Sequence, residues 1–169
     1  GAQFVAALQL TEDGKSEEAL KAYRQVAEDG TGGYALLAQF RLAAAEAKSG
    51  NKAEAVKAYD ALANDGSTGK VFQGLAQIKA ATLRLDQADM GEMKERLDGL
   101  NVASSPWRHS ARELLGLAAH RSGNNGDAQR YFTDIVRDRE APQNLKRRAE
   151  IMLALVVKAD QPAASSKAK

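Results

Sequence analysis

The chain contains no cysteine. Disulfides, thiolate metal ligands and a cysteine nucleophile are therefore excluded. Proline is scarce, with 3 residues in 169, and aromatics make up only 5%. Strand-favouring residues are thus few, and the composition points to helix rather than sheet. Long apolar runs are missing too. The longest uninterrupted one, Ile151 to Val157, falls far short of the roughly 20 residues that a bilayer-spanning helix needs. No signal-peptide pattern is present. Charge of neither sign dominates: 24 basic and 22 acidic residues leave a net charge of +2. That balance offers no concentrated basic surface for nucleic acid.

What the chain does have is alanine, leucine and balanced charge. Hydrophobic residues are 44% and charged residues 27%, a composition that folds rather than staying disordered. The length suits one domain with a continuous core. The sequence opens at Gly1 rather than Met, within what reads as a helix. The expectation is a portion of a longer protein, with any membrane anchor lying upstream.

Internal repeats organise the chain. Gly14-Ala19-Tyr23, Gly50-Ala55-Tyr59 and Gly123-Ala128-Phe132 share one spacing. Ala55 follows Ala19 by 36 residues and Ala128 follows Ala55 by 73, about twice that, so a degenerate copy is expected between them. LAQFRLAA from Leu37 recurs as LAQIKAAT from Leu75. Carrying this shift forward aligns Ala55 with Met93 and Tyr59 with Leu97. Each copy reads as helix, tight turn, helix. Gly14, Gly50 and Gly123 fall where a first helix ends and the chain enters the left-handed region. Asn51 with Glu54 reads as a capping box, and Ser105-Pro106 as a cap followed by a first-turn proline.

The spacing predicts helices over 2–13, 16–28, 33–49, 52–64, 70–87, 91–99, 106–122, 126–138 and 142–158. They form four hairpins, at about 1–30, 33–66, 69–100 and 105–138, within a domain of residues 1–160. The last helix caps the open end of the stack. The tail 161–169 is expected to be disordered.

The small residues Ala7, Ala43, Ala81 and Gly116 lie on the first helix of each copy. Twelve residues later come Ala19, Ala55, Met93 and Ala128, and then Tyr23, Tyr59, Leu97 and Phe132. This pattern resembles the tetratricopeptide repeat. Small residues let two helices approach, and a large side chain fills the space beside them. The aromatic common early in such repeats is replaced by Gln3, Gln39, Gln77 and Arg112, and the closing proline is missing. The implied fold is all-α: a right-handed superhelical stack of about four hairpins plus a C-terminal capping helix. Within that group the chain resembles the ancillary Sec-translocon subunit family of bacterial inner membranes, whose members carry one N-terminal membrane helix and a periplasmic repeat domain. The resemblance lies in AQFVAALQL (2–10), EEALKAYRQVAEDG (17–30) and LAQFRLAAAEAKSGNKAEAVKAYDAL (37–62).

In a stack of this kind the first helices line the concave side. The corresponding apolar stripe comprises Phe4, Leu8, Leu37, Phe40, Ala44, Leu75, Ile78, Thr82 and Leu117, with a polar rim of Lys48, Asp86, His120 and Arg121. Two readings stay open. The stripe is either a groove for an extended or helical segment of a partner, or part of the core, the commoner fate of such a stripe.

Other motifs carry less. GSTGK (66–70) lacks the spacing of a phosphate loop and is expected to be an inter-hairpin connector. His109 and Glu113 are read as a surface pair rather than metal ligands. Trp107 is expected to staple hairpins, and Arg137, Arg139 and Lys146-Arg147-Arg148 to form a solvated basic face.

The functional expectation is therefore a non-enzymatic scaffold that binds a protein or peptide, with no cofactor, no metal and no nucleic acid. Membrane contact would come only through an anchor outside this chain. The resemblance implies the periplasmic side of the inner membrane and translocon, chaperone or envelope partners. A soluble cytoplasmic adaptor, or a self-associating structural module of the same fold, remains the alternative.

Overall fold

The structure, a computed structural model, describes residues 1–161. Among these, nine α-helices account for almost all regular structure and no strand occurs. They are α1 (Ala2–Glu12), α2 (Ser16–Asp29), α3 (Gly33–Lys48), α4 (Lys52–Asn64), α5 (Lys70–Arg84), α6 (Met90–Leu97), α7 (Arg108–Arg121), α8 (Asn125–Arg137) and α9 (Gln143–Asp160). Short 3-10 turns cover Gly66–Thr68 and Asp98–Leu100. The expected tail lies, from residue 162 on, outside the described residues.

Helix ends follow local chemistry. Gly14, Gly50 and Gly123 each end a first helix at positive φ, between 74° and 88°, where a Cβ is disfavoured. The expected capping box at Asn51 is not formed. Asn51 occupies the N-cap of α4, but its side chain accepts no hydrogen bond from the helix; its Nδ2 donates instead to Glu46 Oε2 at 2.8 Å. Side-chain caps occur elsewhere, with Asp89 accepting from the Glu92 amide and Asn124 from that of Asp127. Ser105-Pro106 forms a turn before the helix rather than its first turn. Ser105 Oγ accepts from the Trp107 amide, and α7 begins at Arg108. The helix expected to reach residue 87 ends at Arg84, whose carbonyl accepts from Gln87 and Ala88.

The chain divides into two compact units, Gly1–Leu83 and the part from Arg84 onward. In the first unit α1 pairs with α2, α2 with α3, and α3 with α4. One cluster joins Phe4, Ala7, Ala19, Tyr23 and Ala38. A second joins Ala43, Tyr59 and Leu62 to Ala76 and Ala80 of α5. Each cluster holds a ring pair, with centroids 5.7 Å apart for Phe4–Tyr23 in the first and 5.9 Å for Phe40–Tyr59 in the second. Tilted ring pairs at this separation are favourable.

In the second unit α6 lies against α7, α7 against α8, and α9 against both α7 and α8. The cluster here holds Ala119, Ala128, Phe132 and Ile135 against Leu145, Ala149 and Val156. Burying a ring such as Phe132 stabilises by about 2–3 kcal/mol. The aligned small, middle and large positions of all four sequence copies are buried. The spacing found in the sequence is thus the spacing of the interior.

Candidate functional site

The expected stripe divides between core and surface. Phe4 is buried between Tyr23 and Tyr34, and so belongs to the core rather than to a groove. Leu8 packs half-buried against the same cluster. Phe40 packs half-buried against the second cluster and contacts the ring of Phe72. Leu75 and Ile78 are half-buried, whereas Leu37, Ala44 and Thr82 face solvent. Thr82 Oγ1 donates to the Ile78 carbonyl at 2.7 Å. Leu117, in the second unit, packs half-buried on that unit's own cluster.

The first unit does contain a groove, displaced by one position from the expected stripe. Two clefts adjoin on one face of α3. One, about 380 Å³, lies between α3 and α4 and is lined by Leu42, Ala43, Glu46, Ala58 and Ala61. The other, about 480 Å³, runs over the end of α3 and the 66–68 turn and is lined by Gly33, Leu36, Ser67 and Phe72. Gln39 and Asp65 line both. Positions 36, 39, 43 and 46 share one helical side. The sequence carried a signal for this opening. Gln39, where the resemblance led to the expectation of a large aromatic, is an exposed polar side chain that lines both clefts. Asp65 closes the loop beneath, accepting from the Ser67 amide at 2.8 Å and hydroxyl at 2.7 Å. These bonds hold its carboxyl below the ordinary range. With the Ser67 amide taken by Asp65, the GSTGK segment is built as a connector that opens α5.

The rim residues are dispersed. Lys48 and Asp86 are exposed. His120 Nδ1 lies 3.3 Å from Asn125 Oδ1, and Arg121 donates to the Ala88 carbonyl, so that pair is tied to its own unit.

Sequence reasoning missed a polar cluster in the second unit. His109 is no surface partner of Glu113. It is buried, with Nε2 2.7 Å from Asp138 Oδ2, while Glu113 accepts from Arg148 at 2.9 and 3.1 Å. Arg108 Nε donates to the same Asp138 oxygen at 3.0 Å and its Nη2 to Glu140. Arg112 adds a contact to Asp138 at 3.3 Å and donates to Asn101 at 2.8 Å. The Asp138 carboxyl is held well below the usual carboxylate range, first by Arg108, then by the Glu140 amide and His109. An ionised Asp138 accepts all of these bonds, so His109 must donate. The one sequence hint was Arg112, standing at the missing-aromatic position.

A second knot lies in the same unit. Arg84 donates to both oxygens of Glu92 at 2.8 Å, and Arg96 to one at 3.0 Å. Chiefly through the Arg84 bonds, the Glu92 carboxyl falls from 4.5 to about 2, against the opposing effect of partial burial. Of the expected basic face, Arg137, Arg139 and Arg147 are exposed, but Arg148 pairs with Glu113.

Among the described residues no group of three or more His, Asp or Glu side chains is placed to hold a metal ion. No helix among them is long and apolar enough to cross a membrane. No protein-family model, curated protein or solved structure matches the chain.

Proposed function

We propose that this chain is a non-enzymatic protein-interaction scaffold built of tetratricopeptide-like hairpins. Its repeats would stack in the right-handed superhelix that the sequence resemblance implies. The groove along α3 carries this reading. Its two adjoining clefts follow one face of a single helix, with alanines and Leu36 along the walls and carboxylates at Glu46 and Asp65. A helical or extended segment can seat apolar side chains between alanines and hydrogen-bond Gln39. The buried register of small and large residues within the hairpins supports the repeat assignment. The resemblance to the ancillary Sec-translocon subunit family supports a place on the periplasmic side of a bacterial inner membrane, with translocon, chaperone or envelope proteins as partners.

Photocrosslinking tests the proposal. A photoreactive residue replaces Gln39, and a control replaces Lys57, also exposed but outside both clefts. Adducts with a defined protein from position 39 and none from 57 are expected. Equal labelling from both positions, or labelling of this chain alone, overturns the scaffold reading.

A further inference from the structure

We infer that the outer face of α9, with the recess beside it, docks an acidic amphipathic helix of a partner protein. This rests on the scaffold reading and names a second contact, in the other unit.

A helix that closes a repeat stack normally turns a polar side to water. α9 does not. Leu145, Ala149 and Val156 form its buried side, yet Ile151 is 58% exposed and Leu155 52%. These two lie four residues apart, one turn along the same ridge. Beside the ridge is a recess of about 260 Å³, walled by Leu117, Phe132, Met152 and the Glu113–Arg148 pair. A ridge next to a side-chain-sized hole is the counterpart of a partner helix presenting apolar residues at three- and four-residue spacing.

Charge selects the occupant. Arg147 and Lys158 stand at the two ends of the ridge, both exposed, and neither side chain makes an ion pair or hydrogen bond among the described residues. Arg148, half-exposed, has Glu113 as its partner. Of the acids on α9, Asp160 is engaged by Asn125 and Gln129, and Glu150 lies about 100° around the helix from Ile151. The ridge is thus apolar with a cation at each end. A second copy of the same face would bring like charges together. A lipid surface would leave the recess unfilled, whereas a leucine or phenylalanine of a partner helix fills it.

The test uses the whole chain and two labelled 18-residue peptides. Each carries leucine along one face, with glutamate margins in one and lysine margins in the other. Fluorescence anisotropy at low ionic strength reads binding, and vesicles of phosphatidylcholine and phosphatidylglycerol serve as the membrane arm. The glutamate peptide is expected to bind at least about tenfold more tightly than the lysine peptide. The double variant R147E/K158E, altered only at exposed positions, should invert that preference. I151A/L155A should weaken the glutamate peptide at least about tenfold. Failure of either peptide to bind, equal binding of both, an unaltered preference in R147E/K158E, self-association through this face, or attachment to vesicles with no peptide binding overturns the inference. Crosslinking from Gln39 is read in the other unit. Its outcome therefore separates failure of this contact from failure of the scaffold reading.

Discussion

The ring of Phe132 takes the space that a Cβ on Gly116 would need: an added carbon there would lie 2.8 Å from Cζ and 2.9 Å from Cε1. At the same repeat position the first two hairpins carry Ala7 and Ala43, opposite Tyr23 and Tyr59. In the last hairpin α7 and α8 approach around a phenylalanine, and only glycine leaves room for it.

Gly116→Ala is expected to destabilise the second unit. Alanine gains about 1 kcal/mol of helix propensity, but forcing a methyl into a filled interior costs about 1–3 kcal/mol. The net effect is a loss that urea unfolding, followed by the fluorescence of Trp107, will show. In a Phe132→Leu background the same substitution should cost little or stabilise. A loss of equal size in both backgrounds would refute the steric account.

The Glu92 knot makes the second unit acid-sensitive in a defined window. The folded carboxyl sits at about 2 against an ordinary 4.5. The ionised form therefore favours the fold, and its contribution is full above 4.5 and drains as pH falls toward 2. Glu92→Gln should be less stable than the parent at neutral pH, with the gap closing as urea midpoints are followed down through that range. A gap that stays constant from neutral pH to acid would show that Glu92 is not the linked group.

Asp138 and Glu140 both bind Arg108 but should differ in weight. Asp138 is 20% exposed and gathers Arg108, Arg112 and His109, whereas Glu140 is 80% exposed. Asp138→Asn takes the shared carboxylate from Arg108, Arg112 and His109, leaves Arg108 only the exposed Glu140, and should lower the thermal midpoint by several degrees. Glu140→Gln should lower it by about a degree or less, as for other exposed pairs. Thermal scans read by Trp107 fluorescence compare the two, and equal shifts would contradict this division.

The α3 groove predicts a blocking variant. Ala61 is exposed and lines the cleft between α3 and α4. Ala61→Trp should fill that cleft while changing stability by no more than about 0.5 kcal/mol, as for other surface changes. Partner adducts from Gln39 should fall at least about tenfold. Undiminished labelling would place the partner elsewhere.

Much of the fold was legible in the chain because its signals are local. Gly14, Gly50 and Gly123 mark turns whatever surrounds them, and the small–small–large spacing states which residues face inward. The site was less legible. The expected stripe of Leu37, Phe40 and Ala44 and the observed groove of Leu36, Gln39 and Ala43 differ by one position, which rotates the face by about 100°. The Asp138 cluster was hidden because His109 and its partner are 29 residues apart.

The sequence by itself determined the helices, the glycine turns between them and the repeat register, since backbone sterics and apolar period act over a few residues. Tertiary structure alone decided which of the positions flanking that inward register are covered. It buried Phe4 between two tyrosines, left Leu37 in water, drew His109 inward to Asp138 and left Ile151 and Leu155 uncovered on α9. The rotation of a helix about its own axis is set by the volumes it packs against, and those volumes belong to residues far away along the chain.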